Sequence, residues 1–352
     1  MDRRIKLMLV IFLSVFAQSG FANTITVNSD IDDAASVGSV PNRCTLREAI
    51  IAANTDAAVG GCSAGNGSDK IRFQSSVTGV HLSYELPAIS SELMIAGRSR
   101  NLPVIHGGGS FRIFSVVYPA RFTLSRVLLQ KGGGLGANPL TQHSGGAMSI
   151  ETSTVKINEV RFLANTAEQL GGAIFIGRGS NVEITNSSFE GNAVIASAGI
   201  YGGGAIAMVA DDGSLSLTNT TFEGNIASFP SPSPLVAGPQ GGALFIRSFG
   251  NQTVSVSIKG STFSGNKAVH SGGAIRSEST GASSTRPEIT ITDSTFVYNT
   301  ANTDNNQGGV LGGNGGGISG ETVSIKNTLI ALNEDLDSSH PDLDSAVTSL
   351  RV

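Results

Sequence analysis

Of 352 residues only 14% are charged, 45 are glycine and none is tryptophan, and the formal net charge is −4. That balance lacks the basic footprint that nucleic-acid binding needs, which excludes that class of partner. So much glycine is ill suited to a close-packed globule and suits a solenoid, in which glycine and small polar residues fill tight, repeated turns.

In chain order, Arg3, Arg4 and Lys6 precede an apolar run from Leu7 to Ala17, and Gly20-Phe21-Ala22 offers small residues for cleavage. This is the form of an export signal. The run is about 11 residues long, against the roughly 20 needed to span a bilayer, so residues 1–22 are expected to be removed rather than kept as an anchor. Removal would leave 330 residues beginning at Asn23 and take the net charge from −4 to −6, because Asp2 goes with three cations. No later segment has the length and apolarity of a transmembrane helix. The mature chain is therefore expected to be secreted or held at the cell surface, with outer-membrane association open.

Residues 23–69 read as an N-terminal cap. Cys44 and Cys62 are the only cysteines, and in an exported protein they most simply form one disulfide. A ring of 18 residue steps contributes about 3 kcal/mol in the chain-entropy model. No histidine or second cysteine pair lies nearby to make a metal site. Thr45-Leu46-Arg47-Glu48 has the capping-box form, and Leu46, Ala49, Ile50 and Ala53 share one face of the helix that follows. Such a helix is expected to plug the open end of a solenoid, whose strand edges and apolar core need covering.

From about residue 70 to 333 the chain is repetitive, weakly at first. Ile71-Arg72-Phe73, Leu93-Met94-Ile95, Val104-Ile105 and Ile113 to Val116 read as strands broken by Gly97 and by Gly107 to Gly109. Phe122 to Leu129 aligns with Val182 to Phe189 and puts Leu129 in a phenylalanine slot. From residue 145 two phrases alternate without exception. One is Gly-Gly-Ala plus an apolar residue, beginning at Gly145, Gly171, Gly203, Gly241 and Gly272, with a looser copy at Gly315. The other is Phe-x-x-Asn at Phe162, Phe189, Phe222, Phe263 and Phe296, with Ile330 to Asn333 as a variant. Before each phenylalanine runs a period-two strand, such as Val155-Lys156-Ile157 or Val182-Glu183-Ile184.

Successive members of the phenylalanine slot lie 27, 33, 41, 33 and 34 positions apart, a repeat-architecture spacing. One unit alone cannot bury its apolar face. Stacked coils can, which predicts a parallel β-helix of about nine or ten coils with internal columns of Phe and Ile. Gly-Gly allows a positive φ or a close backbone approach at one corner. Asparagine tolerates the left-handed region at another corner and can bond its copy in the next coil. These residues are accordingly assigned to architecture rather than catalysis.

The run Cys44-Thr45-Leu46-Arg47-Glu48-Ala49 through Asn54 resembles the Cys-Ser-Leu-Arg-Glu-Ala motif that opens a family of exported bacterial β-helix proteins. Ser68 to Phe73, then Val77-Thr78-Gly79-Val80, resembles that family's continuation. The Gly-Gly-Ala-Ile and Phe-x-x-Asn phrases are similar to those of polymorphic outer-membrane proteins, which are surface adhesins. Together the matches cover most of residues 42–333. The resemblance implies an all-β, right-handed, pectate-lyase-like parallel β-helix, often followed by an anchoring or sorting segment. Asn327 to Asn333, Pro341-Asp342-Leu343 and Val347 to Leu350 look like the start of the closing section, and the sequence stops at Val352. A truncated product or a missing anchor is the expectation, with residues 334–352 as a polar tail.

The enzyme alternative is a polysaccharide lyase or glycoside hydrolase acting on an acidic polysaccharide; fold alone does not decide it. Either needs carboxylates from neighbouring coils in one outward column. After Gly-Gly-Ala the inferred outward residues are Ser149, Phe175, Ala207, Phe245, Arg276 and Ser319, with no carboxylate among them. On the strand before Phe they are Lys156, Glu183, Ser216, Ser257, Thr290 and Ser324, where Glu183 stands alone. Glu190 and Glu223 occupy one turn position in consecutive coils, about 5 Å apart if stacked, and are more simply solvated turn residues than a cation site. Asp335, Asp337, Asp342 and Asp344 lack the spacing of a calcium loop and read as a frayed terminus. His81, His106, His143, His270 and His340 are scattered without metal-ligand spacing. No catalytic residue, cofactor or metal is assigned.

From each ladder asparagine to the next Gly-Gly the gaps are 6, 11, 16, 6 and 16 residues, so insertions gather at one corner. Such loops commonly form the binding face of a repeat protein. Phe175 and Phe245, with Glu190 and Glu223, are the candidate ligand-binding residues, beside the stiff loop Ser228 to Pro234. The aromatic pair has cover beneath the loops as its plainer reading. The expected function is a monomeric, adhesin-like binding protein for a glycan or a surface protein.

Overall fold

The computed structural model describes residues 23–351, apart from 34, 36, 135–142, 197–200, 230–237, 281–284, 304–313, 321, 337–339 and 345–348, and gives only the strand for 349–351. The expected signal segment, 1–22, lies outside the described residues. Each repeat folds into one coil of a parallel β-helix. A representative coil runs Asn181–Thr185, Ser188–Glu190, Ala193–Ile195 and Ile206–Ala210, and Gly213–Thr218 then begins the next. Copies of these four strands stack into sheets of eleven, nine, six and seven strands among the described residues.

Register follows the period-two pattern. Val155, Val182, Leu215, Val256, Ile289 and Val323 are successive partners in the first sheet and face inward, buried. In the second sheet Phe162, Phe189, Phe222, Phe263 and Phe296 stack with ring centroids 4.4, 4.8, 4.5 and 4.5 Å apart and planes within 6° of parallel. Leu129 and Ile330 continue that column at either end. The strand spacing of about 4.8 Å sets like onto like, and flat rings stack at that separation in van der Waals contact.

Each ladder asparagine is fully buried or nearly so, and bonded on both sides. Asn225 donates from Nδ2 to the Phe189 carbonyl at 3.0 Å and to Asn266 Oδ1 at 2.9 Å. Its own Oδ1 accepts from the backbone N–H and Nδ2 of Asn192, both at 3.0 Å. The two glycines of Gly-Gly have different reasons. The first takes a left-handed φ, 61° at Gly171 and 72° at Gly203. At the second, a Cβ on Gly172 or Gly204 would lie 2.2 Å from the carbonyl oxygen of Gly204 or Gly242 in the next coil, so coils stack only if no side chain is there.

The helix forms at Leu46–Thr55 with both halves of its capping box: Thr45 Oγ1 accepts from Glu48 N–H at 3.1 Å, and the Glu48 carboxylate accepts from Thr45 N–H at 2.9 Å. Leu46, Ala49, Ile50 and Ala53 enter the single main core. Cys44 and Cys62 are joined as a disulfide. Arg47 closes the cap. It grips Asp32 at 2.7 and 2.8 Å and donates to the carbonyls of Glu85 (2.6 Å) and Tyr84 (2.9 Å).

Both ends depart from the expected boundaries. Asn23–Val27 already pairs with Ser68–Phe73, so the first sheet starts ahead of residue 70, driven by burial of Ile25 and Val27. The acidic run near the end, expected as a frayed polar tail, is built in. Glu334–Asp335 joins the third sheet, Ser349–Arg351 pairs with Val323–Lys326, and Asp342 Oδ1 accepts from Asn333 Nδ2 at 2.9 Å. The ladder has donors left over at its last asparagine, and Asp342 satisfies them. Asp337 lies outside the described residues.

Candidate functional site

The column Ser149, Phe175, Ala207, Phe245 does point away from the main core, but it is not presented at the surface. Phe175 and Phe245 are 8% and 0% exposed and form a small cluster of their own with Ala207, beside Leu170 and Val209. The Arg247 guanidinium lies 4.9 Å over the Phe245 ring. An open aromatic face at these two residues is thereby corrected to a covered outer layer, because apolar rings on a strand recruit cover from the next corner. Of the loop beside them, residues 230–234 lie outside the described residues.

Glu190 and Glu223 are register neighbours in the second sheet. They do not form a vacant carboxylate pair: Arg161 donates to Glu190 at 3.0 and 3.3 Å, and Ser188 adds a bond at 2.9 Å. No group of three or more metal-ligating side chains occurs among the described residues. His81 and His106 are not isolated; they are register partners whose rings stack at 4.8 Å.

A concavity bounded by described residues lies elsewhere, near the cap. A cleft of about 280 Å³ is lined by Tyr84, Glu85, Leu86, Pro87 and Ala88 on one wall, and by Ser115, Val116, Val117, Ser149 and Glu151 on the other. It exists because the 84–88 segment pulls away from the fourth sheet, whose first strand is Phe114–Val116; only Ile89 makes a parallel bridge to Val116. The cap helix holds that segment in place. Besides the Arg47 bonds, Asn54 donates to the Ala88 carbonyl at 2.7 Å and accepts from Ser90 N–H at 3.1 Å.

Two carboxylates reach the cleft, in different states. Glu85 accepts from Ser115 Oγ at 2.8 Å and lies 3.8 Å from Arg112. Arg112 is fully buried, and its N–H groups also donate to the carbonyls of Gly134, Ser144 and Gly145. The Glu151 carboxylate accepts no hydrogen bond from any described residue and rests against Gly177, where a Cβ would meet it at 2.1 Å. Burial raises the Glu151 carboxyl above its ordinary value, and Arg178 and then Arg112 offset part of that rise.

A carboxyl whose folded pKa exceeds its unfolded one adds stability below the unfolded value and loses it as pH rises through the folded one. Ionised Glu151 therefore weakens the fold at neutral pH. Glu151→Gln is expected to raise the melting temperature near pH 7, with the gap over wild type closing as the pH falls to about 3, below the ordinary glutamate value, where the carboxyl is protonated in both states. Thermal melts of the two proteins at both pH values check this.

Sequence columns missed this site for a simple reason. Glu151 stands two residues beyond Ser149, in a second outward column that continues through Gly177, Val209, Arg247 and Glu278. Extending the period by one step would have found it. Farther along that column Arg247 and Arg276 both bond Glu278, a pairing complete in itself.

Residues 260–278 match the Chlamydia polymorphic membrane protein repeat. The matched stretch holds the strand Thr262–Ser264, the ladder residue Asn266, the Gly272-Gly273 corner and most of Ile275–Ser279. It spans both repeating phrases once. No curated protein and no solved structure matches the chain.

Proposed function

We propose that this chain is a cell-surface-associated, adhesin-like binding protein that carries its ligand on the side of the solenoid. The supporting observation is the membrane-protein repeat at 260–278, set in a stack of coils of the same design. The recurring residues are consumed by stacking, which leaves outward positions, the insertion corner and the cleft to vary. The export signal read at 1–22 fits the same location. No described helix is long and apolar enough to cross a membrane.

Shaving intact producing cells with protease, together with a saturation assay of the purified chain on animal cells, matrix proteins and glycans, tests the proposal. Loss of the chain on shaving and saturable binding to at least one surface are expected; protection from protease with no binding overturns the reading. A hydrolase is the second reading, favoured by Glu85 and Glu151 in one cleft, the latter with a raised carboxyl as a general acid needs. New reducing or unsaturated sugar ends released from a polysaccharide would replace the binding role with that one.

A further inference from the structure

We propose that the cleft beside the cap is a site for a neutral sugar ring, held by hydroxyl bonds to Glu151 and Glu85 and by the exposed ring of Tyr84. The inference rests on the reading of the chain as a binding protein and names the chemistry of its ligand. Four observations carry it.

The Glu151 carboxylate is half-buried in the cleft and accepts no hydrogen bond from a described residue, so its acceptor capacity is left for a ligand. A carboxylate partly shielded from water gains from added donors, and vicinal hydroxyls supply donors in pairs. Beside it, Ser149 and Ser115 add hydroxyls on adjacent strands, being register partners. The walls Leu86, Pro87, Val116 and Val117 offer apolar surface for the C–H face of a sugar. Tyr84 is 59% exposed at the mouth, steadied by Phe111 at 5.6 Å between ring centroids.

Charge selects among sugars. Both ionisable lining groups other than Tyr84 are acidic and no cation lines the cleft; Arg112 is fully buried against carbonyls, and Arg178, the cation that acts most on Glu151, stacks over the Phe249 ring at 4.5 Å, so a uronate or sialate would meet carboxylates first. Arg112 and Arg178 already offset the charges of Glu85 and Glu151, which leaves no excess charge to favour a cationic ligand. A neutral ring is what remains. At about 280 Å³ the space lies near the lower end of small-molecule sites, enough for one end or one unit of a glycan chain.

Arg47 and Asn54 are positioning residues here. Both stand in the helix motif, far from the cleft in sequence, and fix the wall that carries Tyr84 and Glu85. The capping helix thereby sets the geometry of the site as well as closing the core.

The test is calorimetric titration of the full chain with neutral gluco-, manno- and xylo-oligosaccharides and, separately, with oligogalacturonate. Saturable binding of a neutral oligomer and none of the uronate is expected. Glu151→Ala and Tyr84→Ala should each weaken it about tenfold or more, as loss of a charged hydrogen-bond acceptor or a stacking face does. Glu183→Gln, on the first sheet, should leave it unchanged, and melting curves confirm that each variant folds. Preference for the uronate, or equal affinity in the wild type and both cleft variants, overturns the sugar site. If no neutral oligomer binds while the chain still adheres saturably to cells, the sugar site falls and the adhesin reading stands. If the chain adheres to nothing, both fall.

Discussion

Phe222→Ala is expected to destabilise the protein by about 3–5 kcal/mol, the usual loss for truncating a fully buried phenylalanine. The effect should sit at the upper end of that range. Phe222 is in mid-column, with Phe189 at 4.8 Å on one side and Phe263 at 4.5 Å on the other, so the vacated space is bounded by flat rings that strand pairing prevents from closing in. Tyr298→Ala is the contrast: that side chain is 60% exposed, and its removal should change stability little. Urea denaturation followed by circular dichroism measures both. A loss under about 1 kcal/mol at Phe222 would mean that the column is not what holds the coils together.

Asn225→Ala is expected to lose about 3–6 kcal/mol by a different route. The substitution removes the acceptor for the Asn192 backbone N–H and Nδ2, and the donor to the Phe189 carbonyl and to Asn266 Oδ1. Buried groups left without partners cost about 1–3 kcal/mol each, and not all four lose every bond. Asn225→Asp separates hydrogen bonding from volume. The aspartate keeps the shape and can still accept from Asn192, but it presents an acceptor to Phe189 O and Asn266 Oδ1 and buries a charge, so it should be at least as damaging as alanine at neutral pH. Full tolerance of aspartate would show that shape alone matters at this corner.

Much of this architecture was legible in the sequence because the repeat states each constraint many times. Val-x-Ile strands, phenylalanines at a fixed offset and an asparagine three residues later leave few ways to stack, and the observed register follows them residue by residue. Exposure was harder. Phe175 and Phe245 point out of the coil, but whether an outward ring meets water depends on what the neighbouring corner lays beside it, here Leu170, Val209 and Arg247. The cleft was invisible for a related reason. Glu85 lies where the repeat is weakest, and the contact that fixes its wall links Arg47 to Tyr84 and Glu85 across 37 and 38 positions. No local pattern encodes such a contact. Nor does composition reveal that Asp342 completes the asparagine ladder, since an acidic run near a chain end looks the same whether it is solvated or used.

The segments joining each ladder asparagine to the next glycine pair vary from 6 to 16 residues. Yet the rings that mark the rise of each coil keep a separation of 4.4 to 4.8 Å. Both ends of every such segment are pinned, by a side-chain amide at one side and by a backbone too close for any side chain at the other. The pitch of the rod is thus indifferent to what is spliced between the pins. New sequence can be tried at that corner, one coil at a time, without renegotiating the packing beneath it, so the molecule works as a rack whose slots evolve independently of the frame.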